Sequence, residues 1–295
     1  MHKGMPECEV LDTIPAFLGY WAAQRNAGQA TQIDHWATSY MGAWPDLLQL
    51  QLAEYQRDNL DWREQAAQHI FPNLDRQVPA ILAANTILLS GSSTIYHLTQ
   101  EYLHIDFPVY LVFYVGIGLG AGWATRFRGM PAVLFGLENI AACGWANACS
   151  LAGLTAHELG HLWHSQLRNQ SALVPATEPW WTLYEEGLAQ YCEHYVLHRE
   201  SWHMQANQQD WLVWCINHRN WLALEYLRCV SNGNSTRPFF GSWYELQGHR
   251  QTGYYLGHEL VTLWRLDYPL EQIALWSADE IAVHTQVGLA TIASG

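Results

Sequence analysis

The chain has 295 residues, 49% of them hydrophobic, which is enough to bury a large core in one domain or in two closely packed lobes. Charged residues make up only 14%, and Trp and Tyr number 16 and 15, a composition typical of a packed globular protein and not of a disordered chain. The formal net charge is −13 with a single lysine, Lys3, which argues against a nucleic-acid partner because phosphates would be repelled.

The sequence carries no evident targeting signal. Its first residues lack the apolar segment of a signal peptide, and no stretch of 18 uncharged apolar residues follows. The six cysteines form no Cys-x-x-Cys pair, which is typical of reduced thiols. We therefore expect a soluble, cytoplasmic protein that does not bind a membrane.

Residues 1–105 have helical periodicity and are predicted to form a helical N-terminal region. Pro45 suits the first turn of a long helix that extends to about residue 60. Two more helices are predicted at 78–89 and 94–104, with a turn at Gly91, Ser92 and Ser93 between them. Nothing in this region carries evident chemistry, so it is predicted to be a scaffold beside a cleft.

Residues 106–140 are predicted to form a small β-sheet region. Strands are expected at 108–115, 123–128 and 132–137, and a glycine-rich segment follows the first of them. Gly116, Gly118 and Ala121 fit the spacing of a dinucleotide-binding loop, but no helix follows, which argues against that reading. An edge strand of this sheet would let an extended peptide bind by β-addition, and a buried strand without a substrate role is the alternative.

Residues 141–295 are predicted to form a helical, zinc-binding catalytic region. The pentapeptide His-Glu-Leu-Gly-His at 157–161 has its two histidines four residues apart, on one face of a helix, where both can bind the same metal ion. Ser150 is predicted to be the N-cap of this helix. Such a pentapeptide arises by chance in about 4% of chains of this composition. Two buried, hydrogen-bonded histidines are therefore the alternative.

Catalytic zinc takes three protein ligands and leaves a fourth position open, so one more ligand is needed. A second helix is predicted from Pro179 to about residue 197, and it carries Glu185 and Glu186. Gly187 inside a helix costs about 1 kcal/mol relative to alanine. We expect this cost to be offset by close contact with the Gly153, Ala156 and Gly160 side of the first helix.

The His-Glu-x-x-His motif followed by Glu-Gly-x-Ala-x-Tyr on a second helix resembles the gluzincin metallopeptidases. This group includes thermolysin-like proteases, the aminopeptidase N and leukotriene A4 hydrolase family, and related bacterial predicted zinc proteases. The resemblance covers roughly residues 108–262. It implies an α+β, predominantly α fold, in which a small β-sheet with an edge strand packs on a thermolysin-like helical catalytic core.

The resemblance implies one zinc ion per chain. His157, His161 and Glu186 match the three zinc ligands of the family, and Glu158 matches the general base. Glu185 falls about 100° away around the helix, so it is expected to lie outside the ligand set. Between His161 and Glu186 there are 24 residues, more than is usual in the aminopeptidase branch, which predicts a loop at 168–177.

Two weaker matches concern the substrate. Tyr254 begins a Tyr-x-x-Gly segment similar to that of the aminopeptidase branch, which implies that its hydroxyl stabilises the oxyanion. Gly136 and Glu138 belong to a segment similar to the Gly-x-Met-Glu-Asn strand of that branch, which implies substrate binding, with Glu138 on the free amino group. Phe135 stands where the first glycine of that motif is expected. Arg250 is a further tentative substrate contact.

Several other residues near these motifs are predicted to have no metal or catalytic role. Tyr255 is expected in the core, and His164 beside the site or at the surface. Three histidines on or after the second helix are not expected to bind metal, namely His194, His198 and His203.

The predicted function is a zinc metallopeptidase acting on a peptide or protein substrate. A zinc-activated water attacks the peptide bond, Glu158 takes its proton and Tyr254 stabilises the oxyanion. The alternatives are a non-catalytic zinc-binding module, which has no need of Glu158, and a zinc hydrolase of a non-peptide substrate. Endopeptidase and aminopeptidase activity are both compatible with the sequence, and cobalt or manganese can take the same ligands.

Overall fold

A computed structural model describes residues 7–57, 59–168, 179–206, 208, 210–241 and 244–295. The strands are β1 (Cys8–Asp12), β2 (Val109–Tyr114), β3 (Gly122–Phe127) and β4 (Met130–Gly136). The α-helices in this part of the chain are α1 (Ile14–Gln24), α2 (Gln29–His35), α3 (Pro45–Arg57), α4 (Trp62–Gln65), α5 (Phe71–Leu103), α6 (Leu137–Cys143), α7 (Ala148–Leu167), α8 (Pro179–Leu197), α9 (Trp211–Asn217), α10 (Arg219–Ser231), α11 (Thr252–Trp264), α12 (Leu270–Ala274) and α13 (Ala278–Ser294). Short π-helical segments lie at Trp36–Tyr40 and Ala66–Ile70, and 3-10 turns at Met41–Ala43, His203–Gln205 and Arg237–Phe239. The α+β, predominantly α class is confirmed.

The four strands form one sheet in the order β1-β2-β4-β3. β1, β2 and β4 are parallel, whereas β3 runs antiparallel to β4 and forms an edge. The β-branched and aromatic residues of β2 and β4 are largely buried, as expected of central strands. Three of these strands were predicted. β1 was not, because it is half-exposed and its acidic residues interrupt the β pattern.

The predicted break at residues 91–93 is wrong, because α5 continues through it from Phe71 to Leu103. Ser92 is buried and donates a hydrogen bond from its hydroxyl to the carbonyl oxygen of Leu88, and Tyr96, one turn later, is fully buried. Tertiary packing therefore outweighs the low helix propensity of the Gly-Ser-Ser sequence. The last residue of the helix is Leu103. The next residue, His104, caps the helix with a left-handed backbone that has a φ of 54°.

α5 belongs to a longer helical run, Trp62–Leu103, that is long and apolar enough to cross a membrane by length and composition. The most apolar stretch of 18 residues in this run has a mean hydropathy of 1.4, and 33% of that stretch is buried inside the protein. Core helices of soluble proteins meet the same criterion, and α5 packs against α6, α7 and α8.

The helix of the pentapeptide, α7, begins after Asn147, whose side chain accepts a hydrogen bond from the backbone N–H of Ser150 at 2.9 Å. The prediction of Ser150 as N-cap is therefore wrong by three residues. Asn and Ser are both favoured N-caps, and here Ser150 supplies the N–H group that Asn147 satisfies. The helix thus gains one turn before the pentapeptide.

The second helix that carries a predicted metal ligand, α8, packs against both α7 and α11. A Cβ atom at Gly187 would lie 2.4 Å from the carbonyl oxygen of Gly257, so α8 and α11 cross with their backbones in contact. Gly257 is equally constrained, because its own Cβ would lie 2.5 Å from the carbonyl oxygen of Leu183. Two glycines therefore set the distance between α8 and α11.

The predicted contact of Gly187 with the Gly153, Ala156 and Gly160 side of α7 is wrong. Gly160 instead faces Cys192 of α8, whose Cβ lies 2.8 Å from the position of a Cβ at residue 160. Position 187 is five residues from 192, about 140° around the helix, and so faces away from α7. The small residues of α7 do allow α8 to approach closely. They contact the face of α8 that carries Cys192, however, and not the face that carries Gly187.

Candidate metal centre

Three side chains from α7 and α8 converge on one point. His157 and His161 lie one turn apart on α7, with their Nε2 atoms 3.1 Å apart. Oε2 of Glu186 on α8 lies 3.2 Å from Nε2 of His157 and 3.5 Å from Nε2 of His161. The structure therefore brings together the three residues that the sequence predicted as metal ligands.

These distances fit a shared metal ion. Zinc binds imidazole nitrogen and carboxylate oxygen at about 2.0–2.1 Å with tetrahedral geometry, which separates any two ligand atoms by about 3.3–3.4 Å. The three observed separations of 3.1, 3.2 and 3.5 Å span this value. The three residues line a cavity of about 440 Å³, so one side of the centre is open to a water or a substrate.

A second group of possible ligands shares His157 with the first and adds Glu193 and His203. Its geometry is different, since Oε2 of Glu193 lies 2.6 Å from Nδ1 of His203 and 4.0 Å from Nδ1 of His157. A separation of 2.6 Å is too short for two ligands of one zinc ion but normal for a charge-assisted hydrogen bond. The first group is therefore the better metal site.

Glu193 is fully buried, and both of its carboxylate oxygens have hydrogen-bond partners. Its Oε1 accepts hydrogen bonds from the Ser201 hydroxyl at 2.7 Å and from the backbone N–H of His203 at 3.1 Å. A Cβ at Gly153 would come within 2.4 Å of Oε1, so this glycine of α7 makes room for the carboxylate. Glu193 thereby fixes the ring of His203 in the cavity wall next to His157.

Sequence reasoning missed the position of His203 and Glu193. The spacing was informative for Glu193, which is seven residues, almost two helical turns, after Glu186 and so lies on nearly the same face of α8. No pattern in the sequence marks His203, because it enters the cavity wall from a short 3-10 turn after the helix. That His203 does not bind metal stays a prediction, because His203 could hold an ion together with His157 and Glu193.

The three candidate ligands have shifted pKa values. Burial lowers the pKa of His157 to about 4, because a buried imidazolium loses its hydration. Burial acts in the same direction on His161, but the Glu186 carboxylate outweighs it and raises the pKa of His161 to about 9. Burial opposes ionisation of Glu186, yet His161 and His157 hold the pKa of its carboxyl well below the ordinary range. Metal binding requires deprotonated ligands, so a metal ion would replace the proton of His161.

Glu158 lies at the open side of the centre, where it lines the cavity. Its Oε2 accepts a hydrogen bond from the backbone N–H of Ala124 on the edge strand β3 at 2.9 Å. Burial raises the pKa of the Glu158 carboxyl above its ordinary value. A buried carboxylate with a raised pKa beside a metal site is a typical general base.

Tyr254 lies in the first turn of α11 and also lines the cavity. Its ring centroid lies 5.7 Å from that of His157. Burial, followed by the charges of Glu186 and Glu158, raises the pKa of the Tyr254 hydroxyl well above 10, so the hydroxyl stays protonated and can donate a hydrogen bond. The adjacent Tyr255 is buried in the core, as predicted.

Glu185 and His164 form an outer layer. Glu185 lines the cavity, and its Oε2 accepts a hydrogen bond from Nε1 of Trp181 at 3.1 Å. Burial raises the pKa of the Glu185 carboxyl to about 7. His164 is buried, its Nε2 lies 3.0 Å from the Tyr184 hydroxyl, and burial lowers the pKa of its ring to about 3. Neither residue belongs to the two groups of possible metal ligands among the described residues.

None of the three predicted substrate-binding residues lines this cavity. Gly136 and Glu138 are buried directly behind its wall, where they contact the glycine-rich segment. Arg250 lines a neighbouring cavity and forms an ion pair with Glu245 at 2.7 Å. The predicted loop at 168–177 falls, beyond Arg168, outside the described residues.

A scan against protein-family models found no match to this chain, and searches of curated proteins and of solved structures found no significant match. The gluzincin resemblance is therefore a prediction from the sequence motifs, and the geometry of the centre carries the functional inference.

Proposed function

We propose that this protein is a zinc-dependent metallopeptidase. The observation that carries the proposal is the convergence of His157, His161 and Glu186 at zinc-ligand separations, with the Glu158 carboxylate at the open side. Three ligands and an open position are typical of catalytic zinc, whereas structural zinc has four protein ligands.

The residues around the centre have the properties that hydrolysis requires. His157, His161 and Glu186 would hold a zinc ion, which would supply Lewis acidity to lower the pKa of water toward neutrality and to polarise a carbonyl group. Glu158 accepts the proton of the attacking water and returns it to the leaving amine. The protonated Tyr254 hydroxyl donates a hydrogen bond to the carbonyl oxygen as that oxygen gains negative charge.

The edge strand favours a peptide as the substrate. Gly122, Trp123 and Ala124 of β3 line the cavity beside Glu158. Backbone groups on the outer side of an edge strand pair with an extended chain without reading its sequence. A non-peptide substrate would make no use of this strand, so we rank a non-peptide hydrolase second and a non-catalytic zinc module third.

The proposal includes one zinc ion per chain, a peptide or protein partner and a cytoplasmic location. The net charge of −13 supports the absence of a nucleic-acid partner.

The test is hydrolysis of a mixed peptide library by zinc-loaded wild type and Glu158→Gln, with Glu271→Gln as a control that removes an exposed carboxylate on α12. We expect Glu158→Gln to retain zinc and to lose at least about 10²-fold in rate, the usual contribution of a general base. The control should match wild type. Equal rates for Glu158→Gln and wild type, or cleavage of no peptide by the zinc-loaded wild type, would contradict the proposal.

A further inference from the structure

Glu138 is buried at the start of α6 and is only 1% exposed. Its Oε2 accepts a hydrogen bond from the backbone N–H of Gly116 at 2.6 Å, and its Oε1 accepts one from the backbone N–H of Gly118 at 3.1 Å. Both carboxylate oxygens are thus occupied by the main chain. A receptor for an ammonium group must instead face the cavity, and Glu138 does not line it.

The two amides belong to residues 116–122, a segment that follows β2 and ends at the first residue of β3, and that we call the glycine loop. Residues 118–122 of this loop form one wall of the cavity of the metal centre. A Cβ at Gly116 would lie 2.7 Å from Oε1 of Glu138, so the main chain approaches the carboxylate as closely as only glycine permits. The Tyr55 hydroxyl adds a third contact by donating to the carbonyl oxygen of Ile117 at 2.6 Å.

Gly136, two residues before Glu138, holds the other end of the loop. Its backbone N–H donates to the carbonyl oxygen of Ala121 at 3.1 Å. A Cβ at Gly136 would come within 2.4 Å of the carbonyl oxygen of Gly120, so no larger residue fits without moving the loop. Gly136 and Glu138 therefore hold the glycine loop at both ends.

The far end of the glycine loop meets the candidate base. A Cβ at Gly122 would lie 2.4 Å from Oε1 of Glu158, and the N–H of Ala124, two residues on, donates to Oε2 of the same carboxylate. The position of the loop thus determines where the Glu158 carboxylate lies. A displacement of 1 Å in such a group reduces catalysis on the order of 10²-fold.

We propose that Glu138 is a positioning residue, which holds the Glu158 carboxylate in place through the glycine loop and does not receive the amino group of a substrate. The proposal rests on the proposed peptidase function for its kinetic consequences but not for its structural ones. With Glu138 withdrawn from the cavity, the substrate class is a polypeptide whose N-terminus need not be free.

The structural consequence is tested by hydrogen exchange at pH 8 on the zinc-loaded protein. In Glu138→Gln one carboxylate oxygen becomes an NH₂ group that cannot accept a hydrogen bond, so one loop amide loses its acceptor and the other keeps only a neutral amide oxygen. We expect the amides of residues 116–118 to exchange about tenfold faster or more, the effect of losing a hydrogen bond to a charged group. The control Glu271→Gln should exchange like wild type, and unchanged protection in Glu138→Gln would overturn the proposal.

The kinetic consequence is tested with pairs of peptides that differ only in N-terminal acetylation. Wild type should cleave both members at similar kcat/KM. Glu138→Gln should lower kcat for both by the same factor and leave KM and zinc content unchanged. Gly136→Ala, which displaces the loop but keeps the carboxylate, should give the same result and is the second variant if Glu138→Gln fails to fold.

The opposite pattern identifies an amino-group receptor. Cleavage of free peptides only, with a KM that rises in Glu138→Gln, would overturn the proposal. If wild type cleaves no peptide, the proposed function fails, and the exchange measurement still decides whether Glu138 holds the loop.

Discussion

Buried negative charge is the main electrostatic feature of the centre at the level of single residues. Glu158 and Glu193 are among its buried side chains, and Glu186 lies between two histidines. The only lysine is Lys3, and the arginine side chains with described ion pairs are bonded to carboxylates elsewhere in the fold. Buried carboxylates are costly without a compensating positive charge. The protonated His161 supplies one such charge beside Glu186, and a divalent cation at the three proposed ligands would supply two in its place.

Tyr254 offers a test of oxyanion stabilisation. Its hydroxyl has no hydrogen-bond partner among the described residues, so its loss in Tyr254→Phe should affect stability little. We expect kcat to fall by about 10²–10³-fold, the effect of removing one donor to the oxyanion, with unchanged zinc content. Steady-state kinetics on an acetylated peptide measure this, and a change confined to KM would argue against the assigned role.

The buried Glu138 carboxyl makes stability depend on pH. Burial raises its pKa from 4.5 to about 7 in the folded protein, against the opposing effect of the two glycine amides. A raised folded-state pKa means that this contribution to stability is fully present below pH 4.5 and is lost as the pH rises through 7. The loss amounts to about 3 kcal/mol at most.

Urea unfolding of wild type and Glu138→Gln at pH 5 and pH 8 measures this dependence. The free energy of unfolding of wild type should fall more steeply between the two pH values than that of Glu138→Gln, which cannot ionise. Parallel pH dependence in the two proteins would rule out ionisation of Glu138 in this range.

At the level of the helices, the crossing of α8 and α11 explains why glycines follow Glu186 and Tyr254 in the sequence. Gly187 and Gly257 allow backbone contact, which brings the first turn of α11 and its tyrosine to the cavity that Glu186 lines. One helix contact thus positions both the proposed ligand and the proposed oxyanion donor.

A pair of glycine substitutions tests this contact. Gly187→Ala puts a Cβ within 2.4 Å of the Gly257 backbone, so we expect a loss of at least about 2 kcal/mol in the free energy of unfolding. Gly91→Ala is the matched control, since a Cβ in the middle of α5 would meet nothing within 4 Å and should add about 1 kcal/mol. Equal effects of the two substitutions on the free energy of unfolding would contradict the role of Gly187.

The helices and strands with strong local patterns were predictable from the sequence. α8 ends at Leu197 as expected, and the three strands predicted after residue 106 are confirmed. The break expected in α5 was wrong because burial of Ser92 and Tyr96, which depends on distant elements, decides that segment. β1 was not predicted for the same reason, because its residues form a strand only by pairing with β2, which is distant in the sequence.

Some residues of the candidate metal centre could be predicted from the sequence, and others could not. His157, His161 and Glu186 follow from helical spacing and a family motif, because an (i, i+4) pair needs no knowledge of the fold. The Glu193–His203 pair and the two contacts of Glu138 join residues by long-range packing. Residues that meet only through the packing of the fold have no characteristic spacing in the sequence, so no motif predicts their contact.

For the whole molecule, the net charge of −13 favours an aqueous location, whereas the helical run Trp62–Leu103 is long and apolar enough to cross a membrane by length and composition. Residues of α5 such as Leu74, Ile81 and Leu88 are buried against the protein and not available to lipid. We expect the full chain to stay in the supernatant after ultracentrifugation of a detergent-free lysate. Recovery in the membrane pellet, with release only by detergent, would place α5 in a bilayer.

The central claim is that one metal ion is bound by His157, His161 and Glu186, and metal content by mass spectrometry tests it most directly. Wild type, Glu186→Gln and His203→Asn are purified identically, with folding checked by circular dichroism. We predict about one zinc ion per chain in wild type and in His203→Asn, and little or none in Glu186→Gln. Zinc retained in Glu186→Gln but lost in His203→Asn, or a folded wild type that binds no metal, would contradict the claim.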